Sequence, residues 1–156
     1  MKYDMVTLYS VTLRILLGWF MFFAGIEKVL NPEFTASGFL MTAKTFPAFY
    51  AWFATPMNSV WVDPLNAWGI TLIGVAFLLG VGVRPAAWAG AFLMILYYFP
   101  QYELPWIPHG FMVEEHIIYA AAFLLIAAMP QAQKFSASRF FRNTFLGKIP
   151  VIGTYL

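Results

Sequence analysis

Long apolar runs, separated by proline-rich and polar breaks, run through the 156-residue chain. A helix needs about 20 mostly apolar residues to cross a hydrocarbon core of about 30 Å. Four runs approach that length, at about residues 5–26, 65–83, 86–99 and 113–129. The third is short unless Pro85 opens it and Tyr97, Tyr98 and Phe99 lie in the interface. Asp63-Pro64 predicts the start of the second, with Asp as N-cap and Pro at the first helical position. Arg84-Pro85 predicts a tight turn between the second and third, and Pro100, Pro105 and Pro108 break the chain after the third. The fold class that follows is all-α: an integral membrane four-helix bundle in a single domain, residues 1–156.

Two further segments are too long or too mixed to be turns. Asn31-Pro32-Glu33 reads as an N-cap and first turn, opening a short amphipathic helix that reaches Phe46. Pro47 ends it, and Phe49, Tyr50, Trp52 and Phe53 follow as an aromatic segment. This region predicts an outer interfacial helical cap on the bundle. The tail from Gln133 to Leu156 mixes Lys134, Arg139, Arg142 and Lys148 with Phe135, Phe140, Phe141 and Phe145. It reads either as a basic C-terminal interfacial helix on an anionic leaflet or as a partly disordered tail.

Composition names the solvent. The chain is 62% hydrophobic and 10% charged, against about 45–50% and about 25% in soluble domains. A fold of this size has too little interior to hide that much apolar surface, so most of it faces lipid. Aromatic residues make up 20%, and rings enrich at bilayer interfaces. The absence of cysteine excludes disulfides, thiolate catalysis, Cys-ligated metal and iron–sulfur clusters. A net charge of +2 gives no reason to expect a nucleic-acid partner. The first apolar run ends without a small-residue cleavage site and reads as a retained helix. With the N-terminus inside, the inner segments carry Lys2, Arg84, Lys134, Arg139, Arg142 and Lys148, and the outer ones only Lys28 and Lys44. That is the positive-inside pattern of a multi-pass cell-membrane protein with both termini cytoplasmic.

The polar residues inside this pattern are the candidates for chemistry. Arg14 lies within the first span, where a charge costs at least about 2.5–3.5 kcal/mol unless it has a partner. Arg14, Gly18, Met21, Gly25 and Lys28 share one helical stripe, and the glycines admit a neighbouring helix. Arg14 therefore either fixes the bundle through an interhelical ion pair, with Glu115 as its best carboxylate, or holds a ligand. Glu114-Glu115-His116 opens the fourth span, where acidic groups suit a helix N-terminus. His116 could titrate near neutrality, donate to a quinone oxygen or ligate a metal. Glu27, at the end of the first span, calls for a partner such as Lys28, Lys44 or a ligand. A metal site of Glu27, Glu115 and His116 is chemically possible, but no spacing demands it. Trp19, Phe22, Phe23, Tyr97, Tyr98 and Tyr119 either line a flat apolar pocket or form a lipid-facing belt. Small residues at Gly69 and Gly74, and at Ala86 and Gly90, predict helix contacts.

Arg14-Ile-Leu-Leu-Gly18-Trp19-Phe20 with Ala24-Gly25-Ile26-Glu27-Lys28 resembles the first helix of the DoxX/DoxD family. Gly38-Phe39-Leu40, Leu65-Asn66-Ala67-Trp68-Gly69, Gly74 to Gly82 with Arg84, and Val113-Glu114-Glu115-His116-Ile117-Ile118-Tyr119-Ala120 resemble its DoxD-like branch. The likeness covers roughly Leu13 to Ala128, and the chain departs from the family pattern after Met129. The resemblance implies a quinone-interacting membrane subunit of an oxidoreductase, of the thiosulfate:quinone type, with a redox partner subunit. Quinone is then the cofactor. Arg14, Glu115 and His116 are the candidate catalytic groups, with Trp19, Glu27, Glu114 and Tyr119 also binding. Two other classes stay open: a non-catalytic membrane scaffold, and a small-solute transporter. A homo-oligomer is compatible with the sequence.

Overall fold

The computed structural model describes residues 4–108 and 110–137. These are mostly helical: α1 (Met5–Leu30), α2 (Ser37–Met41), α3 (Pro47–Phe53), α4 (Pro56–Leu79), α5 (Val83–Gln101) and α6 (Glu115–Ala128). Two-residue strands β1 (Trp106–Ile107) and β2 (Gly110–Phe111) pair antiparallel before α6, and a 3₁₀ turn (Pro130–Gln133) follows it. The all-α expectation holds. α1 and α4 are each long and apolar enough to cross a membrane.

α1 starts at Asp4, whose carboxylate accepts from the Thr7 backbone N–H at 2.8 Å. It ends at Asn31, which folds its own side chain onto the Glu33 N–H at 3.0 Å. Asn31-Pro32-Glu33 thus closes α1 and does not open a new helix, because the amide oxygen finds the N–H two residues on. Thr7, Ser10, Arg14, Leu17, Gly18, Met21 and Gly25 are all buried, at helical spacing, on the face turned to α4. The two helices run antiparallel at close range: Gly18 lies against Phe77 and Leu78, Gly25 against Thr71, and Gly74 against the Phe22 backbone. A Cβ at Gly25 or Gly74 would collide with main-chain atoms of the partner helix. Gly69 meets nothing within 4 Å, so the helix contact expected there is absent.

α4 starts at Pro56, about two turns before the Asp63-Pro64 start predicted for it. Thr55 supplies the extended N-cap position and Pro64 sits inside the helix. Asp63, released from capping, accepts from the Ala36 N–H at 2.9 Å and ties the outer segment to α4. The turn into α5 is made by Gly80 and Gly82, both at positive φ. Arg84-Pro85 falls in the first turn of α5 and does not form the connection predicted for it.

The cap is two short helices where one was expected. Phe46 turns the chain in the left-handed region and packs its ring on Phe99, and Pro47 then opens α3 instead of ending a helix. Three bonds fix the cap to α5 and its end: the Tyr50 hydroxyl to the Leu96 carbonyl at 2.9 Å, the Thr45 hydroxyl to the Tyr102 carbonyl at 2.6 Å, and the Lys44 N–H to the Pro100 carbonyl at 3.0 Å. Beneath it, α5 packs on α6 through Gly90 and Phe123, and Phe123 meets Phe77 edge to face at the centre of the core. The tail from Gln133 to Leu156, expected as a basic interfacial helix or a partly disordered tail, lies mostly outside the described residues, with Arg139, Arg142 and Lys148 among those not described.

Candidate ligand site

Under the cap, α2, α3, α4 and α5 line a half-open cavity of about 170 Å³ whose walls include Phe39, Phe49, Phe53 and Trp61. An adjoining cavity of about 250 Å³ reaches Lys28, Thr35 and Gln101. Asn66 and Tyr97 line both. The Asn66 amide nitrogen donates to the Tyr97 hydroxyl at 2.5 Å, while the Asn66 Oδ1 is buried with no partner. A buried polar atom left unpaired costs roughly 1–3 kcal/mol, so an orphan beside a cavity needs an explanation. The cavity has the chemistry of a small-ligand site: ring-shaped apolar walls and one placed polar pair.

Behind Tyr97 stands a second polar group. The His116 ring meets the Tyr97 ring edge-on at 6.4 Å. Its Nδ1 lies 2.8 Å from the Glu114 Oε2. The same oxygen accepts the His116 backbone N–H at 2.9 Å, so Glu114 is the N-cap of α6. Tyr102 donates to the other carboxylate oxygen at 3.1 Å. Burial pushes the Glu114 carboxyl up, but the His116 and Tyr102 hydrogen bonds outweigh it and hold the group below its ordinary range. Burial and the neighbouring Glu114 push the Tyr102 hydroxyl up.

The remaining predicted residues fall elsewhere. Arg14 is fully buried, but its guanidinium donates to the carbonyls of Ala132 at 2.6 Å, Lys134 at 3.0 Å and Phe135 at 3.3 Å. The predicted Arg14–Glu115 pair does not form. Glu115 is exposed at the start of α6, and Arg14 holds the chain beyond its end, about 20 Å along the axis at 1.5 Å per residue. A salt bridge is replaced by main-chain acceptors at a helix end, where the partial negative charge suits a cation. Trp19 is exposed and stacks on Phe23, and Tyr119 packs on Phe20, so neither lines the cavity. Glu27 is exposed, and Lys28 turns back to the Ala24 carbonyl at 2.9 Å and over the Phe34 ring. Glu114, Glu115 and His116 bring ligand atoms within 4.8 Å of one another, a group that does not include Glu27.

Asn66 is the residue that sequence reasoning passed over. An amide inside an apolar run is the same signal that singled out Arg14. With the helix start placed at Asp63, Asn66 falls in the first turn of the helix and enters the sequence reading only through the Leu65–Gly69 resemblance. With the start at Pro56, it lies about 15 Å into α4.

The sequence model of the DoxX family matches residues 10–100, more than half of the chain. The chain belongs to the DoxX family. The DoxX match spans most of α1, the cap, α4 and nearly all of α5, so it includes every wall of the cavity and stops short of Glu114 and His116. Neither a curated protein nor a solved structure matches the chain. With DoxX membership and two membrane-length apolar helices, the chain is a membrane protein.

Proposed function

We propose that this chain is the quinone-binding membrane subunit of an oxidoreductase, and that the ring of the quinone enters the cavity beneath the outer cap. The observation that carries this reading is the Asn66–Tyr97 pair set in an aromatic-walled cavity of about 170 Å³. A cavity of about 150 Å³ accepts a benzene-sized ring. Quinone, when bound, supplies two-electron chemistry coupled to two protons. The protein's part is to hold one oxygen at Asn66 and Tyr97 and to keep water from the ring. His116 and Glu114, across the Tyr97 ring, are the groups placed to pass protons to the outer face. With no cysteine in the chain, electrons come from a partner subunit; thiosulfate as their source rests on the family resemblance alone.

In the same reading α1, α4, α5 and α6 all cross the bilayer, with both termini cytoplasmic and the cap outside. α5 and α6, with 19 and 14 residues, span about 28 and 21 Å. α6 reaches across with the help of the turns that flank it.

The test uses the full chain in mild detergent. A short-chain quinone raises the melting temperature, as any ligand of the folded state must, and lipid extracted from the purified protein contains quinone. No shift at saturating quinone, together with no quinone in the extract, overturns the reading. A scaffold role is the second reading, and one observation favours it: Arg14 is spent on main-chain carbonyls that clamp the end of the bundle. A partner whose redox activity ignores Asn66→Leu and Tyr97→Phe decides for it.

A further inference from the structure

The Asn66–Tyr97 pair offers more than a generic polar contact. As the amide stands, Nδ2 donates to the Tyr97 hydroxyl oxygen, which leaves the Tyr97 O–H free to donate and the Asn66 Oδ1 free to accept. Turned over, the amide oxygen takes the Tyr97 proton, which leaves Nδ2 free to donate and the phenol oxygen free to accept. Either way at least one donor and one acceptor are left side by side, with a spare N–H on Nδ2 in both orientations. A ketone oxygen has only lone pairs and satisfies the donor alone. A hydroxyl on a ring satisfies both, since it accepts one hydrogen bond and donates another.

We infer that the cavity selects the hydroxylated member of the redox couple: Asn66 and Tyr97 bind a quinol more tightly than the corresponding quinone. The inference rests on the quinone reading of this cavity. The discrimination comes from the acceptor that a ketone leaves unpaired in an apolar, buried setting, and sites built to pair a ligand hydroxyl reject the analogue lacking it for that reason. Selective binding of the reduced form makes the quinol the harder species to release and draws the bound couple toward reduction.

Calorimetry on the full chain in mild detergent, under anaerobic conditions, compares three probes: a short-chain hydroquinone, its quinone and its di-O-methyl ether. The hydroquinone binds about tenfold or more tighter than the other two. Asn66→Leu abolishes that preference by weakening hydroquinone binding more than quinone binding, and Tyr97→Phe reduces it; the second variant keeps the test decisive if the first does not fold. Equal affinity for hydroquinone and quinone, tight binding of the dimethyl ether, or a preference unchanged in both variants overturns the inference and leaves the quinone reading standing. If none of the three probes binds the folded protein, the quinone reading and the inference fall together.

Discussion

Arg14 answers the problem of a buried charge without a counter-ion. Three carbonyls from the turn after α6 accept from its guanidinium, and its Nη1 also lies beside Gly80, the C-cap of α4. Two helix ends, each with partial negative charge, therefore meet one cation. Removing the guanidinium strands those carbonyls. Arg14→Leu costs about 2 kcal/mol or more in detergent melting. Arg14→Lys recovers only part, because an ammonium on a single stem cannot reach three fixed acceptors as a fork does. A wild-type melting temperature in Arg14→Leu would contradict this account. Glu114 makes a different prediction. Its carboxyl titrates below its ordinary range when folded, so the stability it adds is complete above the ordinary glutamate range and is lost as pH falls through the lowered value. The gap in melting temperature between wild type and Glu114→Gln is therefore flat near neutrality and closes only in acid. A gap that opens on acidification would reverse the sign and refute it.

At the scale of elements, the α1–α4 contact is set by glycine. Gly74 faces the Phe22 main chain, and main chain cannot rotate aside as a side-chain tip can. Gly74→Ala forces the two helices apart and costs about 1–3 kcal/mol. Gly69→Ala, on the same helix with open space around it, stays within about 0.5 kcal/mol of wild type. Paired melting curves compare the two, and equal effects would mean that close approach at Gly74 does not set the cost, since helix propensity favours alanine at both sites. Helix existence and burial of the Arg14 stripe were legible in the sequence, because apolar period and small residues act locally. The start of α4 was not. Asp63-Pro64 has a cap's local chemistry, but Asp63 bonds to Ala36, 27 residues away in the chain. That tertiary bond removes the reason for a helix to begin there.

At the scale of the whole molecule, the two ends of the helix bundle differ in what they carry. One end carries the cap, the cavity and the His116–Glu114 pair; the other carries the Arg14 clamp. The proposed orientation is checked by single cysteines, which report alone in a chain with no cysteine of its own. In intact cells a membrane-impermeant thiol reagent labels Ser37→Cys strongly and Ser138→Cys weakly, and the reverse pattern overturns the orientation. Amino-acid sequence by itself determined that this chain is mostly helical, lives in lipid and buries Arg14 on a glycine-bearing stripe. Those properties follow from composition and from a period of 3.6 residues, which each segment carries within itself. Tertiary structure alone decided what Arg14 pairs with, where α4 begins, and that Asn66 and Tyr97 meet beneath α2 and α3. Each of those depends on which segments lie side by side, and residues 31 apart in the chain, as Asn66 and Tyr97 are, carry no local sign that they touch.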